Sequence, residues 1–194
     1  MTARESQGRD SPFENPVTRS IALFLQDIGM TVRAAELSEP TFLPGIRIDA
    51  GDLIVDESKL RYPGDLLHEA GHLAVAEPGR RAMITGKIEP TEGQRGGEEM
   101  AAIAWSYAAA VHLGLDPGLV FHDAGYRGDS DSLLENFSAG RYVGVPLLQW
   151  MGLTVERAQA WEADIEPYPA MIAWLRGGDE TETPRAEKTD GDRS

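Results

Sequence analysis

The chain of 194 residues contains no cysteine, which excludes disulfides, thiol nucleophiles and cysteine metal ligands. Any bound metal must therefore be held by histidine and carboxylate, and histidine is itself scarce, with four in the chain. Basic residues are also few: 18 Lys and Arg stand against 32 Asp and Glu, a formal net charge of -14. Phosphate backbones and anionic membrane surfaces would repel such a protein, so neither nucleic acid nor membrane is an expected partner. No apolar run reaches the roughly 20 residues needed to cross a bilayer, and the opening "MTARESQGRDSPFENP" lacks the apolar core of a secretory signal. These absences lead to the expectation of a soluble cytoplasmic protein.

What is present suffices for one domain, since 41% of the residues are hydrophobic. Residues 1–15 are polar and residues 177–194, "GGDETETPRAEKTDGDRS", are charged with almost nothing to bury, so both ends are expected to be disordered around a domain over 16–176. "TRSIALFLQDIGM" has helical periodicity closed by Gly29, whereas "TVRAAEL", "GIRIDA" and "DLIVDE" read as strands of a small sheet. Tyr62-Pro63-Gly64-Asp65 offers a helix start, with Asp65 as a candidate cap, for a helix running to Ala76. Residues 77–97 read as a loop or ragged hairpin. The Ala-rich "EEMAAIAWSYAAAVHLGL" is a second helix, apolar nearly all round and so expected to be buried on several sides. "SLLENFSAG", "VGVPLLQWMGL", "TVERAQAWEADI" and "YPAMIAWL" follow as short helices. The fold class is α+β.

Within "DLLHEAGHLAV", His68 and His72 are four residues apart, about 40° round a helix and one turn along it, so both rings project from one face. Glu69 lies beside them. This is the HExxH arrangement, in which two imidazoles hold zinc and the glutamate takes a proton from a metal-activated water. Ala70 and Gly71 between the ligands admit close approach by another element, which would offset the roughly 1 kcal/mol that a mid-helix glycine costs. The competing reading is a chance spacing with Glu69 as a solvated charge. Leu66, Leu67, Leu73, Ala74 and Val75 around the polar trio argue against an exposed face.

A catalytic zinc needs a third protein ligand. HExxHxxGxxH is excluded, because Val75 and Pro78 stand where glycine and histidine are required. Asp129 and Asp131 in "YRGDSDS" are one source, and Glu98 and Glu99 at the start of the second helix are another, although acids there also complement the helix dipole.

HEAGH followed by a helix opening "EEMAAIAWSYAAA" resembles the glutamate-zincins, or gluzincins, and among them the ImmA/IrrE-like metallopeptidases. The resemblance spans residues 62 to about 115. It implies a zincin-like core with a small sheet, a zinc-binding helix and a helical C-terminal part. In that family a glutamate opens the pattern Glu-x-x-Ala-Asn-x-Phe-Ala. Glu99 in that place sets Ala102 at the alanine, Trp105 at the aromatic and Ser106 at the final small residue, whereas Glu98 would set Ala104 at the aromatic. The resemblance therefore implies His68, His72 and Glu99 as zinc ligands, with Glu69 as the catalytic base. Ile103 departs from the family's asparagine. The segment Asn-Glu-x-x-x-Asp of thermolysin-like enzymes is lacking.

His122, Tyr126 and Arg127, in "VFHDAGYRGDS", are candidate oxyanion stabilisers, with His122 foremost; the alternative is a turn histidine with a local bond. His112, about four turns beyond Glu99, is read as structural. Trp105, Trp150, Trp161 and Trp174 are read as packing residues. The expected function is zinc-dependent hydrolysis of a peptide or protein substrate, with an edge strand within residues 46–55 aligning the substrate. The alternatives are a regulatory or binding protein that keeps the site without hydrolysis, and zinc with a purely structural role.

Overall fold

The computed structural model describes residues 11–86, 95–125 and 128–177. Among them are seven α-helices and one three-stranded sheet, the expected α+β class. The N-terminal boundary differs from expectation. Within the polar segment 1–15, Phe13 is buried in the core, and the backbone N–H groups of Glu14 and Asn15 donate to the Glu57 carboxylate at 2.8 and 3.0 Å. Asn15 then caps α1 (Pro16–Asp27), its Oδ1 accepting from Val17 and Thr18 while Pro16 fixes the first turn. One aromatic side chain and one cap tie residues 13–15 to the fold despite the polar composition around them.

Three short strands follow: β1 (Val32–Ala34), β2 (Ile46–Asp49) and β3 (Asp52–Val55), in the sheet order β1-β3-β2. Ala50 and Gly51 both have positive φ, 50° and 83°, as a two-residue hairpin loop between β2 and β3 requires. That loop pairs Asp49 with Asp52 and sets the antiparallel register, while β3 pairs in parallel with β1. The expected edge strand over 46–55 is therefore two strands, of which β3 is central and β2 lies at the edge.

The motif helix is α2 (Gly64–Val75). Its cap is Pro63 and not Asp65, whose carboxylate is drawn away by a partner elsewhere in the chain. Residues 78–81, in the stretch expected to be a loop or hairpin, form the one-turn helix α3 (Pro78–Arg81); residues 87–94 lie outside the described part. The long helix α4 (Arg95–His112) is buried throughout residues 101–110, as its apolar circumference requires. It packs on α2 so closely that a Cβ on Gly71 would stand 2.8 Å from the Ala102 carbonyl oxygen, which is the packing reason for glycine in HEAGH.

The C-terminal part comprises α5 (Ser130–Ser138), α6 (Val145–Trp150) and α7 (Arg157–Ala163). The helix expected over "YPAMIAWL" does not form. There Tyr168 donates its N–H to Val155, and Ile172 donates to Leu153, so the backbone donors go to a neighbouring segment and not to their own helix. Of the four tryptophans, Trp105 and Trp174 meet Phe24 in one aromatic cluster, and the Trp105 indole N–H donates to the Trp174 carbonyl at 2.9 Å. Trp150 and Trp161 are not core residues, being 72% and 90% exposed. Among the described residues no helix is long and apolar enough to cross a membrane.

Candidate metal centre

Two helices build the site. His68 and His72 stand one turn apart on α2, and their Nε2 atoms converge to 3.1 Å with the rings nearly perpendicular. Glu99 on α4 faces both: its Oε1 is 3.6 Å from Nε2 of His68 and its Oε2 is 3.4 Å from Nε2 of His72. These three side chains form a group that can hold a metal ion. His72 is buried and His68 nearly so, whereas the Glu99 side chain is 42% exposed, so the cluster opens on the α4 side.

The glutamate pair is resolved by its partners. Glu98, one residue earlier on α4, is turned away from the histidines and bonded to Arg80 on α3 at 2.5 Å. Asp129 and Asp131 are exposed, at and just inside the start of α5, and do not join the cluster.

The electrostatics hold His68 and Glu99 in the form that binds a cation. Burial, reinforced by the charge of His72, lowers the His68 pKa to about 4, so its ring is neutral at neutral pH. The His72 ring beside Glu99 holds that carboxyl below its usual value, leaving it ionised. Glu69 behaves oppositely: burial raises its pKa to about 7, with the nearby charges of Asp65 and Glu99 adding and His72 opposing. Among the described residues nothing donates a hydrogen bond to its carboxylate, which lines a groove of about 290 Å³ between β2 and residues 40–43.

His122 lies close enough for its charge to act on His68, but its Nε2 is 2.8 Å from Asp65 Oδ1. Its ring stacks on Tyr62 with centroids 3.9 Å apart, and its Nδ1 is enclosed without a partner among the described residues. Tyr126 and Arg127 lie outside the described residues. His112 is remote from the site, against Phe24 and Trp174.

Three contributors escaped the sequence reading. Asp65 carried a signal only in its four-residue spacing from Glu69, which puts both on one face of α2. Arg80 and Arg81 carried none, because what they bind is distant in the chain. Arg81 donates to the carbonyls of Leu73, Ala74 and Ala76 at the end of α2, and also to that of Arg176. No family model, no curated protein and no solved structure matches the chain, so the site is defined by its own geometry.

Proposed function

We propose that the protein is a zinc-dependent metallopeptidase that hydrolyses peptide bonds. The observation that carries this reading is the convergence of two imidazoles and one ionised carboxylate on a common point, with a second carboxylate beside them. A tetrahedral zinc ion with bonds of about 2.0–2.2 Å places its donor atoms roughly 3.3–3.6 Å apart. Here the two ring nitrogens stand 3.1 Å apart and each has a different Glu99 oxygen near it, at 3.6 Å for His68 and 3.4 Å for His72, close to that spacing, and two His with one Glu is a donor set suited to catalytic zinc. Cysteine, the usual ligand of closed structural sites, is absent.

When bound, zinc supplies Lewis-acid polarisation and lowers the pKa of a coordinated water. The remaining chemistry belongs to the chain. Glu69, with its proton affinity raised to near neutrality by burial, takes a proton from the attacking water on its carboxylate and returns it to the leaving amine. As the C–N bond breaks, the hydroxyl of water stays with the carbonyl carbon and its proton goes to nitrogen. His122 is engaged by Asp65, and in this arrangement its part is to hold Asp65 one turn below Glu69. The oxyanion role would require its ring to turn from that carboxylate.

The groove fits an extended chain. In the β2–β3 ladder, Arg47 and Asp49 face β3, so the backbone groups of Ile46 and Ile48 point outward into the groove that Glu69 lines. The Ile46 N–H already donates to Leu43, and the Ile48 carbonyl already accepts from Gly86. Among the described residues the Ile48 N–H has no partner, which leaves it for a substrate backbone in a short version of strand addition.

The test is zinc content followed by hydrolysis. Purified protein should carry zinc near one per chain, and Glu69→Gln should retain it while losing peptide cleavage by about 100-fold or more. Protein that takes up no zinc defeats the reading. A Glu69→Gln variant that leaves the protein's cellular activity intact would assign it to binding and not to cleavage.

A further inference from the structure

We propose that Arg80, through its ion pair with Glu98, is a positioning residue for Glu99, and that α3 is a bracket holding the two ligand-bearing helices in register. This inference rests on the zinc reading of the site. It begins with the weakness of the helix that carries the third ligand. The first turn of α4 reads Arg95-Gly96-Gly97-Glu98, and each glycine there costs about 1 kcal/mol relative to alanine. The tight packing of α4 on α2 comes later, at Ala102 against Gly71. Glu99 therefore sits between a first turn with low helical propensity and the close backbone contact with α2.

Glu98 fills that gap. Its side chain is 16% exposed and meets Arg80 at 2.5 Å, a charge-assisted bond in a partly sheltered position. Adjacent helical residues point about 100° apart, so fixing Glu98 toward α3 turns Glu99 toward the histidines. The next residue, Arg81, ties the same single turn to α2: its guanidinium bonds the carbonyl of Leu73 at 2.7 Å, that of Ala76 at 3.1 Å and that of Arg176 at 2.9 Å. Two neighbouring arginines thus join the end of the helix bearing His68 and His72 to the start of the helix bearing Glu99. A shift of the first turn of α4 relative to α2 must break one tie or the other.

The test measures zinc affinity of the full chain by competition with a chromophoric chelator, alongside the thermal midpoint of the metal-free protein. The proteins compared are wild type, Arg80→Ala, Arg80→Lys and Glu98→Gln. Arg80→Ala and Glu98→Gln should weaken zinc roughly 10-fold or more, the range for groups that orient a ligand. Their metal-free midpoints should stay near that of the wild type, and Arg80→Lys, which keeps the charge, should recover most of the affinity. Zinc binding at wild-type strength in both Arg80→Ala and Glu98→Gln overturns the proposal alone. So does a loss of affinity accompanied by an equal loss of metal-free stability, because that marks a general structural role. A wild-type chain that binds no zinc would instead remove the reading on which the proposal depends.

Discussion

At the scale of single residues, the site separates three acids that look alike in the chain. Glu69 is half-buried at the groove, Glu98 is paired with Arg80, and Glu99 faces two rings, and these surroundings give each a different role. Glu99→Ala should therefore weaken zinc by more than roughly 100-fold, beyond the loss expected when only an orienting partner is removed, as read by competition with a chelator. The same titration on Asp129→Ala should give wild-type affinity, since that residue stands apart from the cluster. HExxH was legible from spacing because four residues on a helix bring side chains to one face whatever surrounds them. The choice between Glu98 and Glu99 had only the resemblance behind it, because a rotation of about 100° decides it and the partner that sets the rotation, Arg80, lies 18 residues earlier in the chain.

At the scale of elements, Gly71 sets how closely α2 and α4 approach. Gly71→Ala would thrust a methyl group at the Ala102 carbonyl, and we expect a loss of roughly 1–3 kcal/mol in denaturant unfolding together with weaker zinc binding, since the same contact spaces the ligands. An unchanged unfolding midpoint would show that the helices can part without cost. The sheet predicts its own acid response. The Leu37 N–H, the Ser58 hydroxyl and Lys59 all bond the Asp56 carboxylate just beyond β3, and they lower its pKa to about 2. A depressed carboxyl stabilises the fold above its ordinary value of about 4 and loses that contribution as pH falls toward 2. Wild type should lose stability across that interval, and Asp56→Asn should be less stable at pH 7 and flatter between pH 4 and 2. The strands themselves were legible from β-branched alternation, but the order β1-β3-β2 was not, because parallel pairing joins segments that no local pattern relates.

At the scale of the whole molecule, an ion bound only by the folded arrangement of α2 and α4 must stabilise the fold. Zinc at about 100 times its dissociation constant should add about 2.7 kcal/mol, a rise of roughly 5–10 °C in the thermal midpoint that a chelator reverses. A midpoint indifferent to zinc would mean that the donors do not act together. The sequence by itself determined the class of the fold, the helix carrying the two histidines and the kind of ligand available, because these follow from periodicity, from composition and from the lack of cysteine. Only the tertiary structure decided that Glu99 completes the cluster, that Asp65 answers to His122, that "YPAMIAWL" is not a helix and that two of the tryptophans are exposed. The first three depend on partners 13 or more residues away in the chain, and a chain records its local preferences far more plainly than the distant neighbours that override them.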